Sequence, residues 1–459
     1  MIKTRFSPSP TGLVHLGNAR SALFSAFYAM KMKGVFLLRI EDTDRARSEQ
    51  KYVDLLQDDL HWLGIEWQEG PYFQSDRSDL YAQYYSILEN RGEAYPCFCT
   101  DEELAFNRKL QLSRGQAPRY PGTCRQLTDA EKNNHLKAGR KPALRFIVPQ
   151  NTTIEFTDLV KGLQSFKSED IGDFIIRRAD GSSSFLFCNA IDDSLMEVSH
   201  VIRGEDHLTN TPRQLMLLKT LDMVAPQYGH LSLILSEEGA KLSKRQGSFS
   251  VTDLRREGYL SAAVLNYLAR LSHRYDDQHL YSFQKLAAHF ELEKLSRAPA
   301  RFDTHQLLHW QKIAVQALNS TDFWQWLPST LSIPIEHKSL FEEVIKQNSL
   351  FPNDALKWAS IFFKDELSFD PEQVSILKAA GPIFFEAAVE LTHSHKTDIK
   401  IILDQLKTQL SLSGKQLFMP LRIALTGELH GPELHYIARL LGTNKMQKRL
   451  EYAREIATV

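Results

Sequence analysis

Apolar and polar positions change period twice within the first forty residues. Residues 2–6 form a β-rich run, and the prolines of SPSPTG end it because proline lacks the N–H donor of a strand interior. In residues 15–32, apolar side chains recur every three or four positions: Leu16, Ala19, Leu23, Phe27 and Met30. This spacing predicts an amphipathic helix. After Gly34, the apolar run VFLLRI (35–40) is typical of a buried parallel strand, so the segment predicts a βαβ unit.

The pattern becomes β-rich in the middle of the chain and helical towards its end. LRFIV, TIEFTDLV and FIIRRADGSSSFLF predict strands, with Asp180-Gly181 as a hairpin turn in the last of them. EVSHVIR predicts a strand, LTNTPRQLMLLKTL a helix and LSLIL another strand, which restores an α/β rhythm. From about residue 250 the pattern is helical, as in YLSAAVLNYLARL, IKIILDQLKTQL and GPELHYIARLLG.

These elements predict an α/β fold with a Rossmann-type doubly wound parallel sheet, an inserted α+β domain and an all-α C-terminal region. The sheet would be divided between residues 1–85 and 186–245, with the insertion at residues 86–185. Residues 246–310 and 311–459 would form two helical domains.

Composition excludes some classes of protein without identifying a partner. The chain has 459 residues, of which 43% are hydrophobic and 24% charged, and its formal net charge is −1. A nucleic-acid surface would therefore be local, and residues 91–145 hold eleven Lys/Arg against six Asp/Glu. Four cysteines are too few for a disulfide scaffold, and the sequence shows no cleavable leader and no apolar run of ~20 residues. We therefore expect a cytoplasmic protein without membrane contact.

Two short motifs are compatible with phosphate binding. His15 and Gly17 lie where the rigid SPSPTG loop meets a helix start, and free N–H groups at a helix start attract anions. KLSKR (241–245) lies between Gly239 and Gly247, so a mobile loop could bring its ammonium groups to a triphosphate. Each motif also has a plain interpretation, as a helix cap with a packing glycine and as a solvated basic loop.

Taken together, the two motifs resemble the signatures of class I aminoacyl-tRNA synthetases. RFSPSPTG, LLRIEDTDRARS, EVSHVIRGEDHLTNTPRQ and FMPLRIALTGELHGPEL are similar to segments of the bacterial glutamyl-tRNA synthetase family and span nearly the whole chain. The resemblance implies attachment of L-glutamate to tRNA through glutamyl-adenylate, with ATP and Mg²⁺. It also implies that the insertion binds the tRNA acceptor end, that residues 246–310 contact the stem, and that residues 311–459 read the anticodon.

The resemblance assigns site residues by position. Catalytic roles fall on His15, Lys241 and Lys244. The ATP-binding set is His15, Gly17, Asn18, Asp206, His207, Lys241, Ser243, Lys244 and Arg245. The glutamate-binding set is Arg5, Ser7, Ser9, Glu41, Phe185, Asn189 and Arg203. In that set the arginines would meet carboxylates and Glu41 the ammonium.

Two features of these motifs need separate interpretations. Phe185 occupies a position where the family usually has tyrosine, so a hydroxyl near the amino acid is missing. Apart from Glu41, the charged residues of RIEDTDR have a simple interpretation as a surface ion-pair network: Arg39, Asp42, Asp44 and Arg45.

The cysteines of the insertion raise the question of a metal. Cys97 and Cys99 precede Cys124, with 24 residues between Cys99 and Cys124, and zinc-binding members of the family add a histidine where this chain has Gln126. Tyr120 could be the fourth ligand, as in related glutamyl-queuosine synthetases. Both a zinc site and a degenerate remnant with reduced thiols remain open.

Several alternatives to a glutamate-specific synthetase also remain. They are a tRNA-binding paralogue without catalysis, a small-molecule nucleotidyltransferase, a glutaminyl enzyme, and a glutamyl enzyme that charges glutamine tRNA as well as, or instead of, glutamate tRNA. The intact His15, Lys241 and Lys244 argue against the first, and the long helical C-terminal region against the second and third. The resemblance further suggests a monomer.

Overall fold

The computed structural model of the chain describes residues 1–44, 46–240, 250–364 and 367–458. It divides into two units, one made of residues 1–256 and 261–307, the other of residues 257–260 and 308–459. The strands, in chain order, are β1 (Lys3–Phe6), β2 (Val35–Ile40), β3 (Glu69–Phe73), β4 (Ala94–Cys97), β5 (Ala143–Phe146), β6 (Thr153–Asp158), β7 (Gly162–Lys167), β8 (Phe174–Arg177), β9 (His200–Gly204), β10 (Gln227–Leu231), β11 (Ile234–Leu235) and β12 (Ala300–Arg301).

Helices occupy both units. Up to residue 303 they are α1 (Leu16–Lys31), α2 (Gln50–Trp62), α3 (Ser78–Asn90), α4 (Asp101–Ser113), α5 (Asp129–Lys137), α6 (Ser168–Ile171), α7 (Phe185–Leu195), α8 (Thr211–Thr220), α9 (Val251–Glu257), α10 (Ser261–Arg270) and α11 (Phe283–Ala288). The later helices are α12 (Thr304–Ala317), α13 (Ser320–Trp326), α14 (Lys338–Asn348), α15 (Pro352–Phe363), α16 (Pro371–Ala380), α17 (Pro382–His395), α18 (Ile399–Leu410), α19 (Lys415–Thr426) and α20 (Leu434–Thr458).

A parallel sheet organises the first unit. Its strand order across the described residues is β3-β2-β1-β9-β10, and every neighbouring pair is parallel. The chain builds outwards from β1 to β3 and then crosses to β9, so the direction of winding reverses between β1 and β9. Ligands of doubly wound sheets gather at the carboxyl ends of the strands at such a switch point. The predicted α/β class with its doubly wound sheet is confirmed.

The segment between the two halves of the sheet has its own antiparallel structure. Strands β4, β5 and β8 form a three-stranded antiparallel sheet, and β6 pairs with β7 in a hairpin. The hairpin predicted around Asp180-Gly181 has its turn but lacks a second strand. After the turn, the chain pairs with β8 through a single bridge, between Arg177 and Ser183. Ser184 instead caps α7 by accepting from the Phe187 N–H, so FLF begins a helix with a buried apolar face.

Two further sequence predictions fail for physical reasons. LSLIL is not one strand: β10 ends at Leu231, and the N–H of Leu233 donates to Glu205 Oε1 at 2.8 Å instead of to a neighbouring strand. Met30, predicted on the apolar face of α1, is 45% exposed, whereas Arg20 on the same helix is buried. The other four predicted positions, Leu16, Ala19, Leu23 and Phe27, are buried, so the predicted face is wrong only at its C-terminal end.

The second unit is helical throughout its described residues. Its core is built from apolar side chains of successive helices, with Phe341, Phe362, Phe385, Leu421 and Ile437 among those that have no exposed surface. α20 has a non-helical residue, Gly442, at φ 70°, a backbone angle that favours glycine. Across the described residues, none of the helices combines the length and apolar character needed to cross a membrane. The division into four domains remains a prediction, and its 245/246 boundary lies outside the described residues.

Candidate active site

A cavity of about 360 Å³ opens at the carboxyl ends of β1 and β9, at the switch point of the sheet. Its lining contains most of the residues that the sequence singled out: Arg5, Ser7, Ser9, His15, Gly17, Asn18, Glu41, Phe185, Arg203, Asp206 and His207. Asn189 does not line the cavity but is buried close behind it, where its Oδ1 accepts from Arg39. Lys241, Ser243, Lys244 and Arg245 lie outside the described residues.

The N-terminus of α1 forms one end of the cavity. His15 is the cap of the helix, and its Nδ1 accepts from the N–H groups of Gly17 at 3.1 Å and Asn18 at 3.3 Å. Because Nδ1 is an acceptor, the proton of a neutral ring lies on Nε2, which is therefore a donor atom. A Cβ on Gly17 would lie 3.0 Å from the His15 ring and would displace it.

The chain that follows the undescribed segment 241–249 returns to this helix start. Ser250 forms an antiparallel bridge with His15, and the N–H of Val251 donates to the Val14 carbonyl at 3.0 Å. Ser250, the first described residue after KLSKR, therefore pairs with the histidine of the other motif.

Arg203 also lines the cavity and is a buried cation that has no carboxylate partner among the described residues. Its Nε donates to His230, and its Nη2 donates to Thr211 Oγ1 at 2.9 Å and Gln214 Oε1 at 2.8 Å. No described carboxylate lies within ion-pair distance, and Nη1 has no hydrogen-bond partner although it is buried. Burial lowers the pKa of Arg203 to about 10. A guanidinium with an unused donor beside a cavity is suited to binding an anionic ligand.

An arginine at this position could also serve only as a structural brace paired with Glu205, but no ion pair joins Arg203 to that carboxylate. Glu205 instead forms an ion pair with Lys161 and accepts from the Leu233 N–H.

An aromatic pair covers part of the same wall. The rings of Phe185 and His207 stack with centroids 5.1 Å apart. Burial, followed by the charge of Arg203, lowers the pKa of His207 to about 4, so the ring is neutral at pH 7. Phe185 thus contributes a flat apolar surface where a tyrosine would also have contributed a hydroxyl.

A buried ion network lies behind the cavity, and the sequence did not reveal it. Arg39, interpreted from the sequence as part of a surface ion-pair network, has no exposed surface, so that interpretation is wrong. Its guanidinium donates to Ser7 Oγ at 3.1 Å, Asn189 Oδ1 at 2.8 Å and Asp193 Oδ1 at 2.7 Å. Asp193 also accepts from Arg5 Nε at 3.2 Å. Arg39 and Asp193 therefore fix three of the predicted glutamate-binding residues.

Glu41 is a buried carboxylate that lines the cavity. Burial raises the pKa of Glu41, although Arg39 and the Ser7 hydroxyl oppose the shift. Glu41 also accepts from Ser9 Oγ at 3.3 Å. Because the pKa of Glu41 is raised, a ligand ammonium beside it would offset the burial of its charge.

A signal in the sequence could have indicated these buried charges. Asp192 and Asp193 follow the apolar run FLFCNAI, so both fall in a helix that is otherwise largely buried. Arg20 likewise lies on the apolar face of α1, four residues after Leu16, and lines the cavity. Charged residues inside an apolar periodicity indicate paired or functional groups.

The cysteines of the insertion form a compact cluster on the β4 side of its sheet. Cys97, Cys99 and Cys124 place their sulfur atoms within 4.8 Å of one another. Cys99 Sγ lies 3.6 Å from Cys124 Sγ, and the Tyr120 hydroxyl lies 3.4 Å from Cys97 Sγ and 3.5 Å from Cys99 Sγ. A tetrahedral zinc with bonds of about 2.3 Å to sulfur and 2.0 Å to oxygen separates its ligands by about 3.8 and 3.5 Å. The three short distances fit this geometry, so these four side chains could hold zinc.

Family models match both parts of the chain. One described as "tRNA synthetases class I (E and Q), catalytic domain" matches residues 1–309, and one described as "Anticodon binding domain" matches residues 330–454. Glutamate–tRNA ligase 2 of Coxiella burnetii (strain RSA 331 / Henzerling II) is 49% identical over 463 residues, covering 99% of this chain and 100% of the relative. Glutamate–tRNA ligase 2 of Nitrosococcus oceani is 50% identical, covering 98% of each chain.

Solved structures agree with these relatives. A glutamate tRNA ligase from Elizabethkingia meningosepticum, crystallised in complex with its amino acid, superposes with a TM-score of 0.85 at 28% identity and 99% coverage of both chains. Glutamate-tRNA synthetase from Elizabethkingia anophelis gives a TM-score of 0.86 at 28% identity and the same coverage. With a family model matching two thirds of its length and relatives matching nearly all of it, the chain belongs to the glutamate–tRNA ligases of the class I tRNA synthetase family.

Proposed function

We propose that this protein attaches L-glutamate to the 3′ end of tRNA in an ATP-dependent reaction that passes through glutamyl-adenylate. The observation that carries the proposal is Arg203, a buried guanidinium with an unused donor and no carboxylate partner among the described residues, at the wall of the switch-point cavity. The relatives bear the name glutamate–tRNA ligase, which supports glutamate as the amino acid.

Glutamate would be held by charges of both signs. Arg203 would bind the side-chain carboxylate, and Arg5, held by Asp193, would assist in neutralising the substrate's negative charge. Glu41 and the hydroxyls of Ser7 and Ser9 would receive the ammonium. The reaction then needs the α-carboxylate to attack the α-phosphate of ATP, which releases diphosphate.

The phosphates of ATP would bind at the start of α1. The helix N-terminus offers N–H groups, and His15 Nε2 is the donor atom of the capping ring. Lys241 and Lys244 would approach from the segment 241–249, which is followed directly by Ser250, the residue that pairs with His15. Mg²⁺ bound with ATP supplies further charge neutralisation. Catalysis would rest mainly on positioning and charge stabilisation, with ribose and adenine near Asp206 and His207.

Transfer of the glutamyl group requires tRNA. The match of residues 330–454 to an anticodon-binding domain supports tRNA as the partner, and residues 86–185 would bind its acceptor end. Glutamate tRNA is the proposed acceptor, since the comparisons give no support for glutamine tRNA. A monomeric state remains a prediction from the sequence.

The direct test is aminoacylation of purified glutamate and glutamine tRNAs in separate reactions, with His15 variants alongside. We expect glutamylation of glutamate tRNA, and a rate about 10² lower for His15→Ala because a donor to the transition-state charge is lost. His15→Asn should be equally slow yet fold as well as the wild type, since asparagine is a good helix cap. His61→Ala, on the exposed side of α2, is the matched control and should keep full activity. Wild-type rates of adenylate formation by both His15 variants would contradict the proposed site.

We further propose that Cys97, Cys99, Cys124 and Tyr120 hold a structural Zn²⁺. The ligand spacing supports this, and the Arg145 guanidinium supports it too, because its Nε lies 3.1 Å from Cys97 Sγ and would balance the excess charge of three thiolates. The metal would hold β4 to the loop that leads towards β5 and would take no part in the reaction.

Metal analysis of protein purified without chelator should therefore find about one equivalent of zinc, given the high affinity of structural sites. Cys124→Ser should lose it, whereas Cys188→Ser should retain it, because Cys188 is a buried thiol outside the cluster. Less than about a tenth of an equivalent in the wild type would instead indicate a degenerate remnant.

A further inference from the structure

A buried chain of hydrogen bonds connects the β6–β7 hairpin with Arg203. Asp158, the last residue of β6, places Oδ2 2.5 Å from Nδ1 of His230, which lies 72 residues later on β10. On the other side of that ring, Nε2 lies 3.1 Å from Nε of Arg203. Asp158 is 2% exposed and His230 is fully buried, so water does not compete for these contacts. The hairpin belongs to the segment inserted between the two halves of the sheet.

The partners of His230 determine which ring nitrogen carries the proton. Arginine Nε can only donate, so Nε2 of His230 must be an acceptor. The Thr211 hydroxyl also lies 3.1 Å from Nε2 and can donate to it. The proton of the neutral ring therefore lies on Nδ1 and is donated to Asp158. Asp158 thus selects the tautomer that Arg203 requires.

Asp158 is itself firmly held. Its Oδ1 accepts from the N–H groups of Val160 at 2.9 Å, Lys161 at 2.7 Å and His230 at 3.2 Å. Burial acts to raise the pKa of Asp158, but the hydrogen bond from His230 and those from the turn outweigh it and lower the pKa. The N–H of Leu159 donates to the Tyr228 carbonyl at 2.8 Å, which fixes the hairpin against β10.

We propose that Asp158 and His230 are positioning residues that hold Arg203 in the orientation needed to bind the substrate's side-chain carboxylate. With Nε held by His230 and Nη2 held by Thr211 and Gln214, Nη1 is the donor left for a ligand. The inserted segment thereby takes part in amino-acid selection through a single carboxylate. This inference rests on the proposed function, because it assumes that Arg203 recognises glutamate.

Asp158→Asn tests the chain of hydrogen bonds with minimal change in the shape of the side chain. The asparagine amide would donate to Nδ1, so the proton would move to Nε2 and face the N–H of Arg203. We expect the KM for glutamate to rise about tenfold or more and the preference for glutamate over glutamine to fall by a similar factor. The kcat and the KM for ATP should stay within about twofold, because the phosphate end of the cavity is unchanged. Glu155→Gln, on the exposed side of the same strand, is the matched control and should change none of these values.

A pair of His230 variants separates positioning from general loosening of the structure. Glutamine can place its amide oxygen where Nε2 lies and can still accept from Arg203, whereas the shorter asparagine cannot. His230→Gln should therefore retain most of the glutamate preference, and His230→Asn should lose it about as far as Asp158→Asn does. This pair also decides the question if Asp158→Asn does not fold.

Arg203→Ala, alone and combined with Asp158→Asn, completes the test. If Arg203 recognises glutamate and Asp158 acts through it, Asp158→Asn should have no further effect in the Arg203→Ala background. An Arg203→Ala enzyme that keeps its glutamate preference would overturn the role of Arg203 in glutamate recognition, and with it this inference, whereas a wild type that attaches no glutamate to tRNA would overturn the proposed function itself. An Arg203→Ala enzyme that loses the preference, together with an Asp158→Asn enzyme or both His230 variants that keep it, would overturn only the present inference.

Discussion

Replacing Arg203 with alanine is expected to lower the preference for glutamate over glutamine by about 10²–10³-fold. The two amino acids are nearly isosteric, so discrimination must depend on charge. With glutamine bound, a buried guanidinium would face a neutral amide, and loss of a buried charge pair typically costs about 3–5 kcal/mol. The measurement is kcat/KM for both amino acids in tRNA aminoacylation.

Loss of folding should not obscure this result. Arg203 is buried with one unused donor and no carboxylate partner among the described residues, and burial already disfavours its charge. Removing it should therefore destabilise the protein less than removal of a paired arginine would. Arg213→Ala is a suitable control, because Arg213 lies ten residues further on, in α8, and does not line the cavity. An equal fall for both amino acids in Arg203→Ala would indicate that selectivity comes from elsewhere.

Replacing Arg39 with methionine is expected to destabilise the first unit by about 3–5 kcal/mol, because it leaves buried carboxylates without their cation. Asp193 lies 2.7 Å from the Arg39 guanidinium and Asp192 lies 3.9 Å from it, and all three side chains are fully buried. Burial opposes the charged form, but Asp193, Asp192 and Glu41 outweigh it and raise the pKa of Arg39. The midpoint of urea unfolding of the first unit should fall accordingly.

Two comparisons make this prediction specific. Arg47→Met removes an exposed arginine paired with Asp44 and should leave the midpoint nearly unchanged. Arg39→Met combined with Asp193→Asn should be less destabilising than Arg39→Met alone, because the uncompensated charge is removed with its partner. An Arg39→Met protein as stable as the wild type would mean that the network contributes little to folding. The KM for glutamate should rise in Arg39→Met, since Ser7, Asn189 and Asp193 lose a common donor.

Local pattern in the sequence was sufficient for the central elements of the site. The apolar spacing of residues 15–32 predicted α1, because a helix with one buried face repeats apolar residues every three or four positions. The run VFLLRI predicted β2, because a fully buried strand is apolar throughout. The cap at His15 and the placement of Arg203 at the end of β9 also followed from neighbouring residues. Where local signals competed, the prediction failed: Ser184, directly before FLF, is a helix cap, and this cap outweighed the β-propensity of the apolar run.

What the sequence by itself determined is the doubly wound α/β class, the resemblance to the synthetase family and a site set most of whose members line the cavity. What only the tertiary structure decided is which charges are buried and which groups they contact. Arg39 meets Asp193 from 154 residues away, and Asp158 meets His230 across 72 residues. A charged side chain has the same local sequence signal whether it is solvated or buried. Its environment is set by the register and order of strands that bring distant segments together, and no local periodicity records that arrangement.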